Sequence, residues 1–347
     1  MYEFHFTGIL SAPTDNVAPW TRRRFLAILI CLSPFLPSKA SACLWDSDTL
    51  AAENARFPEV INLITGNFPR HSREFHEWRI ADTKRELEKN PKLLSLFDDL
   101  AVSQHKLADH PTAFATMMSK ENLQPGIYET YSNMGTFLIY TGELPKALSF
   151  INKALSINPQ AHFGREKYQK WLVEWAMAGK PILSNKPGPN ENKDFTSFGY
   201  SAFVLSKLPP KTMTGNLRQE AINGILGMMR FADFDNPLLL EALGDLLTTG
   251  KADANGTHLA SLVYLHASQK VTAPDEQTRL AKKFAAARST FIGGDELETL
   301  ALELKEKLAK GEKLAASVRD DEIAWIQQGK DVSAEFTGKY LVPEQGN

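Results

Sequence analysis

Cysteine is nearly missing from this chain. Of its 347 residues only Cys31 and Cys43 are cysteine, so neither a disulfide framework nor a cysteine-rich zinc site can be built. The eight histidines offer no metal spacing in their place. His71 and His76 stand five apart, as do His105 and His110, whereas two ligands on one helix face stand three or four apart. The signatures GxSxG, GxxxxGK and HExxH are absent. An excess of charge of one sign is absent too: 39 Lys and Arg face 41 Asp and Glu, with no basic stripe, which argues against a nucleic-acid-binding surface. The one apolar run of note, Phe25 to Leu36, is about a dozen residues, short of the ~20 that span a bilayer. These absences leave no catalytic residue, no metal and no cofactor to expect, and hence a non-enzyme.

What is present at the N-terminus has the layout of an export signal. Arg22 to Arg24 precede the apolar run, and Ala40-Ser41-Ala42 follow it. Removal of residues 1–42 would leave Cys43 first and a mature chain with a single thiol. TRRRFLA resembles the twin-arginine export motif, with Thr21, Arg22, Arg23, Phe25 and Leu26 in its slots and Lys39 near the cleavage point; an ordinary Sec signal with three arginines is the alternative. Cys43 after a small residue resembles a lipoprotein cysteine, although Ala40 stands where a large aliphatic residue is usual, so lipidation at Cys43 and simple secretion both stay open. The expected location is the periplasm or cell envelope. The start CLWDSDTLAAE also looks like that of uncharacterised exported bacterial repeat proteins. In it, Trp45 and Leu50 would tuck an arm onto the body, and Asp48 would cap a helix.

Two stretches superimpose at a shift of 34 residues. Phe97 matches Tyr131, Leu100 matches Met134, Ala101 matches Gly135, Ala108 matches Gly142 and Ala113 matches Ala147. A fixed period of this size means stacked helical hairpins. The second unit, 128–161, resembles a tetratricopeptide repeat (TPR): Tyr131, Met134, Gly135 and Leu138 share one helix face, Gly142 makes the turn, Ala147, Ile151 and Ala154 line the second helix, and Pro159 closes the unit. Small residues at Gly135, Ala147 and Ala154 let two backbones approach. The first unit, 94–127, departs from the pattern at Lys120, where the family prefers Ala. Residues 72–90 supply one more stacking helix, and 162–178 a third helix of the first type.

The resemblance implies an all-α, TPR-like helical-hairpin solenoid over 43–180, behind an N-terminal arm. KPILSNKPGPNENKD marks a linker at 181–194. Beyond it, 195–347 reads as a second helical domain. It holds a degenerate TPR-like hairpin near 237–270, where Gly244, Ala260, Tyr264 and Ala267 echo the repeat, and long C-terminal helices. Leu297, Leu300, Leu304 and Leu308 form an apolar stripe suited to capping the end of the solenoid.

First-type helices line the concave face in this family, which implies a partner-binding set: Asp98, His105 and Lys106; Glu129, Ser132, Thr136 and Tyr140; Phe163, Glu166 and Lys170. The slots that hold a partner's terminal carboxylate in some TPRs carry Asp98, Val102, Ser132 and Thr136, so no such clamp is expected and an extended basic or neutral peptide suits the face better. The expected function is a non-catalytic peptide- or protein-binding scaffold of the envelope. The alternative is an envelope enzyme or cofactor-binding protein with a site at Arg230, Asp233 and Asp235, residues that better suit a buried structural ion pair at a helix end. A purely structural lipoprotein is the third reading.

Overall fold

The computed structural model describes residues 44–53, 57–180, 184–185, 197–208, 215–249, 254–289 and 297–341. Its architecture is all-α. Two short helices, α1 (Ser47–Glu53) and α2 (Val60–Ile64), lead into α3 (Arg73–Lys89). Ser72 starts α3 because its side chain accepts from the Phe75 amide. Two hairpins follow, α4 (Leu94–Lys106) with α5 (His110–Leu123), and α6 (Tyr128–Tyr140) with α7 (Leu144–Ile157). Each helix of the second hairpin begins 34 residues after its counterpart (128 − 94 and 144 − 110). Both second helices carry a proline in the first turn, where a missing N–H costs nothing. Both turns pass through a left-handed residue: Gly142 at φ 78° in one and Ala108 at φ 65° in the other.

The small residues do what their spacing predicts. A Cβ built on Gly135 would stand 2.8 Å from Ile151, and Ala147, Ile151 and Ala154 are fully buried. In the first hairpin Ala101, Ala113 and Met117 are fully buried in the same places.

After α8 (Ala161–Met177) the expected linker lies mostly outside the described residues. One piece of it, β1 (Ser184–Asn185), pairs antiparallel with β2 (Ser197–Phe198). Then come α9 (Tyr200–Ser206), α10 (Gly215–Phe231), α11 (Pro237–Leu247), α12 (Ala254–Lys270), α13 (Pro274–Ser289), α14 (Leu297–Gln327) and α15 (Val332–Tyr340). Helices on both sides of 181–194 share one apolar core: Tyr168 and Trp175 of α8 lie with Tyr200 of α9, Ile225 of α10 and Leu243 of α11. Gly224 and Gly227 of α10 face α8, where added Cβ atoms would run into Tyr168 and Arg165. Gly244 of α11 leaves room for the ring of Tyr264 on α12.

α14 closes the array. Its first half lays Leu300 and Leu304 on Leu262 of α12, and its second half lays Val318 and Trp325 on Phe75 of α3. Leu297 stays 49% exposed, so the stripe is shorter than its leucine spacing predicts. Between the two halves Gly311 crosses the backbone of Thr65, Gly66 and Asn67 too closely for any side chain. Helices stacked from α3 to α12 are thereby bridged end to end, and their inner face is turned toward the chain's own segments.

Candidate functional site

The inner faces of α4, α6 and α8 carry a buried polar ladder. On α4, Asp98 receives the Lys120 ammonium from α5 at 2.5 Å and Asn133 Nδ2 from α6 at 3.4 Å. Burial pushes the Asp98 carboxyl up to about 7, against the pull of Lys120. One rung on, Glu166 of α8 accepts from Ser132 Oγ at 2.6 Å and from the Tyr128 hydroxyl at 2.8 Å. Gln169 Nε2 donates to Thr136 Oγ1 at 3.1 Å. Lys120, out of place in the repeat pattern, is thus the buried counter-ion of Asp98; the second unit has Ser132 and Ala154 at the matching positions.

Against this ladder lies the arm, 44–49. Leu44 is 1% exposed and packs with Ala101, Val102, Met134 and Phe137. Asn133 grips the next residue by its main chain alone: Trp45 N–H donates to Oδ1 at 2.9 Å, and Nδ2 donates to Trp45 C=O at 3.1 Å. A residue exposes both groups on one side only when extended, so the amide takes the place of a neighbouring strand. Arg79 of α3 then collects three carboxylates, Asp46 at 2.8 Å, Asp48 at 2.5 Å and Asp99 at 2.6 Å. Burial works against the Asp46 carboxylate, but Arg79 and the Thr49 amide hold it below its usual range. Asp46, and not Asp48, caps α1, accepting from Thr49 N–H at 2.8 Å. The side chain of Leu50 lies outside the described residues.

Beside the arm opens a cleft of about 320 Å³ between α1, the turn 68–71, α4 and the corner from α10 to α11. Lys106 reaches across it and donates to the carbonyls of Phe231 at 2.7 Å and Ala232 at 2.8 Å, capping the C-terminus of α10. Enclosure by protein pulls its ammonium down to about 8. Arg230 donates to Ala52 C=O at 2.8 Å and lies over Phe57 and Phe231. Asp233, raised to about 6 by burial and by its bond to Asp235, faces Lys106. Asp235 itself pairs with Lys270. His71 forms the far wall, stacked between Phe75 and Phe336, with Nδ1 2.6 Å from Glu322 of α14 and Nε2 3.8 Å from Asp48.

The expected partner-binding residues are therefore mostly interior. Asp98, His105, Ser132, Thr136 and Glu166 are buried. His105 sits against Phe137, Tyr140 and His110, and burial drives its imidazole well below its ordinary value. Glu129 and Tyr140 are half-buried, Lys170 lies 3.9 Å from Glu174, and Lys106 faces the cleft. The side chain of Phe163, and all of Cys43, lie outside the described residues. Arg70, Arg79 and Asn133 escaped the sequence reading, and His71 entered it only as half of a pair with the wrong spacing for a metal. Only Asn133 had a signal there, as the neighbour of the inward Ser132. Among the described residues no cluster of three or more His, Cys, Asp or Glu is placed to hold a metal ion. A second ionic cluster, Glu241 and Asp245 of α11 with Arg279 and Lys283 of α13, is buried and mutually paired, and Asp245 also takes the Tyr200 amide and the Tyr264 hydroxyl, which makes it a structural staple. Neither a family model nor a curated protein matches the chain.

Proposed function

We propose that the chain is a non-catalytic scaffold of the tetratricopeptide-repeat kind, exported to the bacterial cell envelope, that holds a peptide or protein partner on the inner face of its first-type helices. The observation that carries this reading is the arm: a hydrophobic side chain in a pocket, a main-chain grip by Asn133, and a carboxylate on Arg79. These are the parts an extended peptide would need, and the main-chain grip is indifferent to its sequence. The test uses the full chain with its arm released by Leu44→Asp. A labelled peptide of residues 44–53 binds this variant roughly tenfold tighter than it binds the unaltered chain, and Asn133→Leu abolishes that binding. No binding to the released variant would remove the inner face from the account.

The export half of the proposal rests on sequence. Intact mass of the native protein reads it directly: a chain beginning at Cys43 is expected, with or without lipid. Exchange of Arg22 and Arg23 for Lys stops export by the twin-arginine route and leaves the Sec route running.

A second reading, an enzyme or cofactor-binding protein near Arg230, Asp233 and Asp235, is favoured by one observation: Arg230 and Asp233 line the same cleft as Lys106. Arg230→Ala separates the two. An unchanged fold with loss of an activity supports the enzyme; a lower melting temperature supports a structural Arg230.

A further inference from the structure

The cleft beside the arm has a chemistry the peptide reading does not use. Its wall carries five cationic side chains, Arg70, Arg73, Arg79, Lys106 and Arg230, against three carboxylates, Asp46, Asp48 and Asp233, in a chain whose net charge is −2. Three of the cations donate to main-chain carbonyls: Lys106 to Phe231 and Ala232, Arg70 to Gly66, and Arg230 to Ala52. A carbonyl fixes the position of a cation and leaves its unit charge in place. Arg79 is the contrast, being ringed by Asp46, Asp48 and Asp99. Asp46 and Asp233 are the carboxylates that act on Lys106, and Asp235, which acts on Arg70, is already paired with Lys270.

The rest of the wall is aromatic. Phe68, Phe231, Phe234 and Phe336 line the cleft, and the Arg70 guanidinium lies 4.7 Å from the ring centre of Phe234. Protein crowds the Lys106 ammonium but leaves part of its side chain open to solvent, and Arg70 is half-buried, so a ligand can reach both. The volume is at the lower end of the range for small-molecule sites.

We propose that this cleft binds a small organic carboxylate with a flat apolar body, its carboxylate between Lys106 and Arg70 and its body against Phe68 and Phe234. The site shares a wall with the arm through Asp46 and Asp48, but the proposed contacts are Lys106, Arg70, Phe68 and Phe234, none of which holds the arm, so its failure leaves the peptide reading untouched.

The test compares 3-phenylpropionate with its neutral isostere 3-phenylpropionamide on the full chain by titration calorimetry. The acid binds saturably and at least about tenfold tighter than the amide, since only the acid meets the fixed cations. Arg70→Met removes that preference and leaves the amide unaffected. Lys106→Met does the same if α10 survives the loss of its cap. Because that variant can fail to fold, the unaltered chain carries a second readout: 3-phenylpropionate slows acetylation of Lys106 by acetic anhydride, mapped by mass spectrometry at about pH 8, whereas the amide does not. Excess peptide of residues 44–53 leaves both readouts unchanged. Equal affinity for acid and amide, no binding of the acid, or binding that leaves Lys106 unprotected overturns the proposal.

Discussion

Lys120 departs from the repeat, and Ala108 keeps its turn slot with a strained backbone; each carries a measurable cost. Lys120 is buried where the second unit has Ala154, and it is tolerated because Asp98 stands opposite. Lys120→Ala alone strands a buried carboxylate and costs ~3–5 kcal/mol in urea unfolding. Asp98→Ser with Lys120→Ala copies the second unit and recovers most of that loss. The pH dependence has a definite sign. The folded Asp98 carboxyl titrates near 7, above the ordinary 3.8, so its contribution is full in acid and is lost as pH rises through that range. The double variant therefore gains on the unaltered chain between about pH 4 and pH 7. Ala108 holds φ 65°, which costs an L-residue ~1–2 kcal/mol; Ala108→Gly raises stability by up to ~1 kcal/mol once the entropy of glycine is subtracted. Lys120 stood out in the sequence as a mismatch, whereas Ala108 read as the match of Gly142. The remedy for Lys120 was not legible, because a mismatch names the misfit and says nothing of the side chain facing it.

Helices were the legible elements. The shift that matches Ala113 to Ala147 also places α4 to α7, while Gly224 and Gly227, three apart in sequence, share the face of α10 that meets α8. Ala147 sits at zero exposure between α6 and α7, so Ala147→Leu costs ~1–3 kcal/mol by overpacking. Gly311 was invisible. It lies in the middle of a helix, where glycine carries no pattern, and its role depends on a backbone more than 240 residues away in sequence (311 − 65). Gly311→Ala should lower the melting temperature while the same change at Gly338, which has nothing near it, should not. The inner residues were placed on the right helices and given the wrong neighbours: polar groups on an inward face read as open to a partner, whereas α6 and α8 spend Ser132 and Glu166 on each other.

At the scale of the molecule, α14 decides the outcome. An open stack of hairpins would leave the first-type helices facing solvent. Here α14 ties α12 to α3, and the His71–Glu322 contact joins positions 251 apart. No local periodicity encodes a contact of that span, which is why separate domains at 43–180 and 195–347 were the natural expectation from the linker composition. The same closure encloses the arm, so the inner face that we propose holds a peptide is already occupied by residues 44–49. The most direct measurement is hydrogen exchange on the full chain, followed at the amides of Trp45, Ser47 and Thr49. The account predicts slow exchange at all three, made fast by Asn133→Leu while the amides of α6 stay protected. Fast exchange of the arm in the unaltered chain, or protection that survives Asn133→Leu, would contradict it.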